Sequence, residues 1–279
     1  MKGIGRYVIK LPQDFDLKNY EDKVGENTIY KAAQFGADTE HLIQHTELAA
    51  VPDSEKFLKP SDVVYMTHGF FDRLYQFKTK ENFFASIVED EWNGDNRKDI
   101  DSRVMFPLAL FVLRGKKTKA LYENNICDIV YRDGDPLSPN RKPFAQRAKV
   151  TDSRTHKKKT TILFLKDSDY HINLGVVELL CIPERWVFGT FEDGKVNLKE
   201  GWNSVRAIDG EEWKKHRSGY FVQAKDLQDK GIGEVVDGEF AGKTVLFKKK
   251  YKLEETDNEE LFVCKDTQIY CTLDKYEGV

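Results

Sequence analysis

The stretch that decides the fold runs from Ala241 to Asp274 and reads AGKTVLFKKKYKLEETDNEELFVCKDTQIYCTLD. Its apolar residues fall in short runs, Val245-Leu246-Phe247, Leu261-Phe262-Val263 and Ile269-Tyr270, separated by polar and charged residues. No apolar stripe recurs at the three-and-four spacing of a helix. The runs are rich in β-branched and aromatic residues, which suit a pleated, half-buried surface. The stretch predicts small strands joined by polar turns, with no catalytic group among them.

Reading outward, the same grammar recurs. Arg6-Tyr7-Val8-Ile9-Lys10-Leu11 predicts a strand ended by Pro12, and 13–27 a long polar, acidic loop. Thr28-Ile29-Tyr30 is an apolar island. Leu48 to Val51 predicts a strand closed by Pro52, and Asp62 to Met66 another. In Val104 to Leu113, Pro107 removes a ladder donor and predicts two short pieces. Asn125 to Tyr131 and Gly175 to Pro183 predict further strands, with a second island at Ile162-Leu163-Phe164 followed by Leu165. Between Arg141 and Lys159 eight Lys or Arg stand against the single acid Asp152, and the segment reads as a long basic loop. Residues 184–240 carry three of the four tryptophans and read as an insertion. Helix signals are short: Ser86 to Glu91, Glu211 to His216 and Ala224 to Lys230. The expected class is mainly β, a sandwich or barrel built from short strands.

Composition narrows the function. Net charge is -3, so the whole molecule is not an electrostatic binder of nucleic acid. Aromatics make up 12% of the chain, enough for a sizeable core. No stretch approaches the roughly 18 apolar residues that span a bilayer, and Met1 to Arg6 lacks a signal-peptide core. Cys127, Cys181, Cys264 and Cys271 are scattered without CxxC spacing; Cys181, Cys264 and Cys271 lie in or beside apolar runs, where free Cys behaves as a small hydrophobe, and a reducing, cytoplasmic compartment is expected.

The elements recur in the same order in two halves: strand, long loop, apolar island, proline-closed strand, turn, strand, polar hairpin, final pair. Two domains are therefore expected, 1–120 and 121–279, the second with the insertion at about 184–240.

Gly242-Lys243-Thr244-Val245-Leu246-Phe247, then Asp257-Asn258-Glu259-Glu260-Leu261-Phe262-Val263, then Lys265-Asp266-Thr267-Gln268-Ile269-Tyr270-Cys271 resemble the closing half of GroES-like co-chaperonins. Ser61-Asp62-Val63-Val64-Tyr65-Met66 resembles the same turn and strand in the first half. Ser61 stands where that family prefers Gly, and Lys243 where it prefers Asp. The nearest likeness is to tandem, double GroES-like proteins encoded by bacteriophages. The resemblance implies two GroES-like β-barrel domains and a homo-oligomeric ring that caps a chaperonin through mobile loops. Such a protein assists folding in the cytoplasm, that of the host if phage-encoded. It implies no enzyme chemistry and no cofactor in this chain, ATP being bound by the partner. The docking residues it implies are Ile162, Leu163 and Phe164, with Thr28, Ile29 and Tyr30 second. Two alternatives stay open. Ile162 to Leu165 also reads as a plain core strand. A rival register places the family's pattern at Tyr220-Phe221-Val222 and Gly231 to Val236.

Other sites are weaker. The basic segment Arg141–Lys159 has only Phe144 for base stacking, so it fits a solvated loop or an acidic partner surface better than nucleic acid. His41 and His45 with Glu40 give Glu-His-x-x-x-His, which is not the zinc-protease order. No phosphate-cradling glycine loop or nucleophile elbow occurs, and no membrane or nucleic-acid partner is expected. A structural ring or adaptor protein of a virion, built on the same β module, is the alternative function.

Overall fold

The computed structural model describes residues 3–11, 21–24, 27–30, 45–66, 75–79, 82–89, 92, 109–115, 117–132, 142–174, 177–208, 230–253 and 261–273. The chain is mainly β, and its contacts divide it into two compact units, Met1–Asn124 and Asn125–Val279. No helix among the described residues is long and apolar enough to cross a membrane.

The first unit holds β1 (Arg6–Leu11), β2 (Glu21–Val24), β3 (Asn27–Tyr30), β4 (His45–Ala50), β5 (Val63–Met66), β6 (Tyr75–Lys78), β7 (Phe83–Val88), β8 (Ala109–Arg114) and β9 (Lys117–Ala120). Seven of them form one antiparallel sheet in the order β6-β7-β1-β4-β5-β8-β9, and β2 pairs with β3 in a separate hairpin.

The second unit contains two sheets. One is built from β10 (Asn124–Tyr131), β11 (Pro143–Ser153), β12 (Thr161–Phe164), β13 (Tyr170–Asn173), β14 (Glu178–Pro183), β15 (Val187–Glu192) and β16 (Lys195–Leu198). The other is built from β17 (Trp202–Ala207), β18 (Lys230–Asp237), β19 (Thr244–Lys248), β20 (Tyr251–Lys252), β21 (Leu261–Lys265) and β22 (Ile269–Leu273). Their orders are β13-β14-β10-β11-β12-β15-β16 and β20-β21-β17-β18-β19-β22.

These three orders are one topology written three times. In each, three successive strands make a central meander. A hairpin then returns to the first strand's side, and the next strand crosses to the third strand's side. The agreement reaches single residues. The first-to-second pairing bulges just before Ile9↔Leu48, Cys127↔Val150 and Val205↔Val235. The pairing on the third strand bulges just before Met66↔Ala109, Phe164↔Val187 and Phe247↔Ile269. A bulge re-aims side chains and bends the ladder, so bulges shared at matched positions give the three sheets the same local curvature.

The turn between the second and third strands is also shared. Ser61, Lys159 and Gly242 all take positive φ, at 71°, 71° and 79°. Their backbone N–H groups donate to the carbonyls of Leu48, Val150 and Val235 at 2.7, 2.7 and 2.8 Å. Left-handed backbone suits glycine, and only the third copy uses it here.

Matched positions fill matched cores. Ile9, Leu48, Val64 and Met66 are buried together in the first sheet. Cys127, Val150, Ile162 and Phe164 do the same in the second, and Val205, Val235, Val245 and Phe247 in the third. A further cluster joins the last two sheets, with Leu163, Leu165 and Phe188 from one against Trp202, Leu253, Leu261 and Val263 from the other.

Several sequence expectations change. Among the described residues none of the sheets closes into a barrel, where barrel-like domains were expected. Residues 143–153 of the expected basic loop form the eleven-residue strand β11. Its Gln146, Ala148 and Val150 are buried while Arg147 and Lys149 alternate with them, so the charges hide a period of two. Within 184–240, expected as an insertion, β15 and β16 complete the second sheet and β17 and β18 begin the third. Of the helix expected from Ser86 to Glu91, Ser86 to Val88 lie in β7, Glu89 is helical, and residues 90–91 fall outside the described residues. The helices expected at Glu211–His216 and Ala224–Lys230 fall outside the described residues, except that Lys230 opens β18.

Candidate functional site

Ile162, Leu163 and Phe164 occupy β12 in the middle of the second sheet, between β11 and β15. They are 0%, 0% and 2% exposed. Strand alternation sends Ile162 and Phe164 into the sheet's own core and Leu163 into the cluster shared with the third sheet. The candidate docking residues of the second copy are thus core on both faces of the strand.

Thr28, Ile29 and Tyr30 lie on β3, paired with Lys23, Asp22 and Glu21 of β2. This hairpin sits in the connection between the first and second strands of its sheet, residues 12–44. The corresponding connections are 132–142 and 208–229 in the other two sheets. Tyr220-Phe221-Val222, the rival register, fall in the last of these and lie outside the described residues.

Polar chemistry concentrates at matched corners that sequence reading missed. In the second copy Asn125 is buried on β10, and its Nδ2 donates to the Ile182 carbonyl at 3.1 Å and to Glu184 Oε2 at 2.9 Å. Glu184 begins the 3-10 turn Glu184–Trp186 between β14 and β15. Its carboxylate also meets His156 Nε2 at 3.0 Å and accepts from Lys199 Nζ at 2.7 Å. Burial alone would raise this carboxyl, but the hydrogen bonds from His156, Lys199 and Asn125 outweigh it and hold the group at about 2. In the third copy Asn203 is buried at the matched place on β17, and its Nδ2 donates to Asp266 Oδ1 at 2.6 Å. Asp266 begins the matched turn Asp266–Gln268. In the first copy Tyr7 takes the asparagine's place, stacks on Trp92 at 4.3 Å and donates its hydroxyl to Glu55. Glu89 takes the acid's place after β7 and accepts from Ser54 Oγ at 3.0 and 3.1 Å.

These corners tie turns to strands. They satisfy buried polar groups, as burial requires. Asp62 plays a similar part: Arg114 Nη2 reaches its Oδ2 at 2.6 Å, and the Lys59 backbone N–H donates to the same oxygen at 2.9 Å. Burial works against the charged form of Asp62, yet Arg114 and that N–H keep its carboxyl below the usual range.

The three buried thiols are not poised for attack. Burial pushes Cys127 and Cys181 well up and Cys264 up to about 12, so these sulfurs stay protonated near neutrality. Among the described residues no group of three or more His, Cys, Asp or Glu is placed to hold a metal ion. His45 is exposed on β4 and stacks on Tyr65 at 5.1 Å, while Glu40 and His41 lie outside the described residues. What the geometry supplies is a set of β-sheets with connections of up to 33 residues between the first and second strands, counting 12 to 44. No family model matches the chain, and no curated protein is significantly similar to it.

Proposed function

We propose that the chain is a non-catalytic docking scaffold of the co-chaperonin type, which assembles into a ring and caps a chaperonin. One observation carries the reading. Each copy runs strand, connection, strand, turn, strand, hairpin, turn, strand, and this order, with its connection after the first strand, supports the reading. The connection after the first strand is where that family carries its mobile docking loop. Thr28, Ile29 and Tyr30 stand in this connection in the first copy. A few aliphatic and aromatic side chains on such a segment bind weakly per site, because ordering the segment offsets the contact. A ring multiplies the weak contacts through effective concentration.

Ile162, Leu163 and Phe164 do not serve this purpose, since docking them would empty the second core. Their burial favours a second reading for that copy, a purely structural module such as a ring or adaptor component of a virion.

The test is to mix the protein with a chaperonin and ATP, then resolve complexes by size exclusion and negative-stain microscopy. A capped complex that weakens with Ile29→Ser and Tyr30→Ser is expected. If neither a host nor a cognate chaperonin is capped, the structural reading replaces this one.

A further inference from the structure

The turns between second and third strands share a backbone and differ in charge. The first copy places Asp53, Glu55, Lys56, Lys59 and Asp62 there, and the third Asp237, Glu239 and Lys243. The second copy places Arg154, His156, Lys157, Lys158 and Lys159 there, with no acid from 154 to 160. Arg154 and the three lysines are exposed, and among the described residues Lys157, Lys158 and Lys159 enter no ion pair. Lys159 even occupies the left-handed position that the third copy gives to glycine. The backbone alone gives no reason for a lysine there.

The cations stand on a fixed base. Ser153 Oγ accepts the backbone N–H groups of Thr155 and His156, both at 3.0 Å, and donates to Asn125 Oδ1 at 2.6 Å. The Thr160 N–H donates to the Lys157 carbonyl at 3.2 Å, and the Lys159 N–H to that of Val150 at 2.7 Å. His156 then locks the turn to Glu184, which Lys199 and Asn125 hold from behind. A charged turn already ordered loses little freedom when a ligand arrives.

We propose that this turn is a docking site for an acidic segment of a partner protein, separate from the connections invoked above. The partner's chemistry follows from the surroundings. A long nucleic-acid polyanion meets the field of the whole molecule, whose net charge is -3. From 154 to 159 there is no Phe, Tyr or Trp face on which a base could stack, and the His156 ring is mostly buried against Glu184. A short run of carboxylates meets only the local cations, each oxygen accepting from a lysine ammonium.

Fluorescence anisotropy on the full chain at low salt tests this, with a labelled poly-glutamate peptide as probe and a labelled oligothymidylate as the competing arm. The peptide is expected to bind more tightly than the oligothymidylate. Lys157→Glu with Lys158→Glu should weaken it by on the order of tenfold or more. Lys56→Glu with Lys195→Glu makes the same change in net charge at exposed sites elsewhere and should leave binding within about twofold. His156→Ala keeps every lysine but loosens the turn, and should weaken the peptide by roughly threefold. The proposal is overturned by an equal loss in both double variants, by tighter binding of the oligothymidylate, or by no peptide binding at low salt.

Discussion

Glu184 is nearly enclosed and yet ionised, which ties stability to pH at one carboxyl. Its folded value near 2 lies below the ordinary 4.5. The unfolded state therefore binds its proton first as pH falls. The contribution is complete above the unfolded value and drains away as pH drops from about 4.5 towards 2, amounting to about 3 kcal/mol in all. Glu184→Gln keeps the shape but removes the charge that His156, Lys199 and Asn125 address. We expect it to cost about 2–4 kcal/mol at neutral pH, with the gap to the parent protein closing as pH falls towards 2. Urea unfolding across that range checks this, and a gap independent of pH sinks it. None of this was legible in the sequence. Asn125 and Glu184 stand 59 residues apart, and Asn203 and Asp266 63 apart, so no local spacing announces either pair.

At the scale of elements, strands whose apolar residues run together were readable, and those laced with charge were not. Arg6–Leu11 emerges as a strand with the bounds its residues suggest. The opening stretch yields β19, β21 and β22, with β20 as a two-residue addition. β11 escaped because lysine and arginine on one side conceal Ala148 and Val150 on the other. The island Ile162–Leu165 is ambiguous in sequence, since four apolar residues suit a docking segment and a buried strand equally. Pairing on both sides decides for the strand. The matched cores make a prediction here. Phe164 and Phe247 hold the same position in their copies and are both almost fully buried. Truncating either to Ala should cost about 3–5 kcal/mol, and Ile162→Ser with Phe164→Ser should abolish folding of that unit. Chemical denaturation of the single variants and circular dichroism of the double variant test it. A folded, soluble double variant would show that β12 is dispensable to the core.

At the scale of the whole molecule, the sequence suggests a repeat in two halves, while the strand order among the described residues has three matching sheets. The miss has a physical cause. Residues 184–207 carry Trp186 and Trp202, two of the four tryptophans, so the stretch stands apart from the pattern in composition. Those tryptophans instead serve the seam that the third copy makes with the second. Trp202 and Trp186 pack in the shared cluster, where Trp202 lies 6.1 Å from the Phe188 ring. Two copies joined by a common apolar seam should unfold as one, because neither buries that surface alone. A fragment spanning 125–279 is therefore expected to fold by itself and melt in a single transition. A fragment spanning 202–279 exposes Trp202, Leu253, Leu261 and Val263 and should be unfolded or aggregated. Trp202→Ala in the larger fragment removes the centre of the seam at a cost of about 3–5 kcal/mol. If the seam is what couples the copies, that variant splits the melt into two transitions, followed by far-ultraviolet circular dichroism and calorimetry. A single transition lowered as a whole would mean that coupling runs through the covalent link and the Gln146 hydrogen bond to the Lys252 carbonyl at 3.0 Å instead.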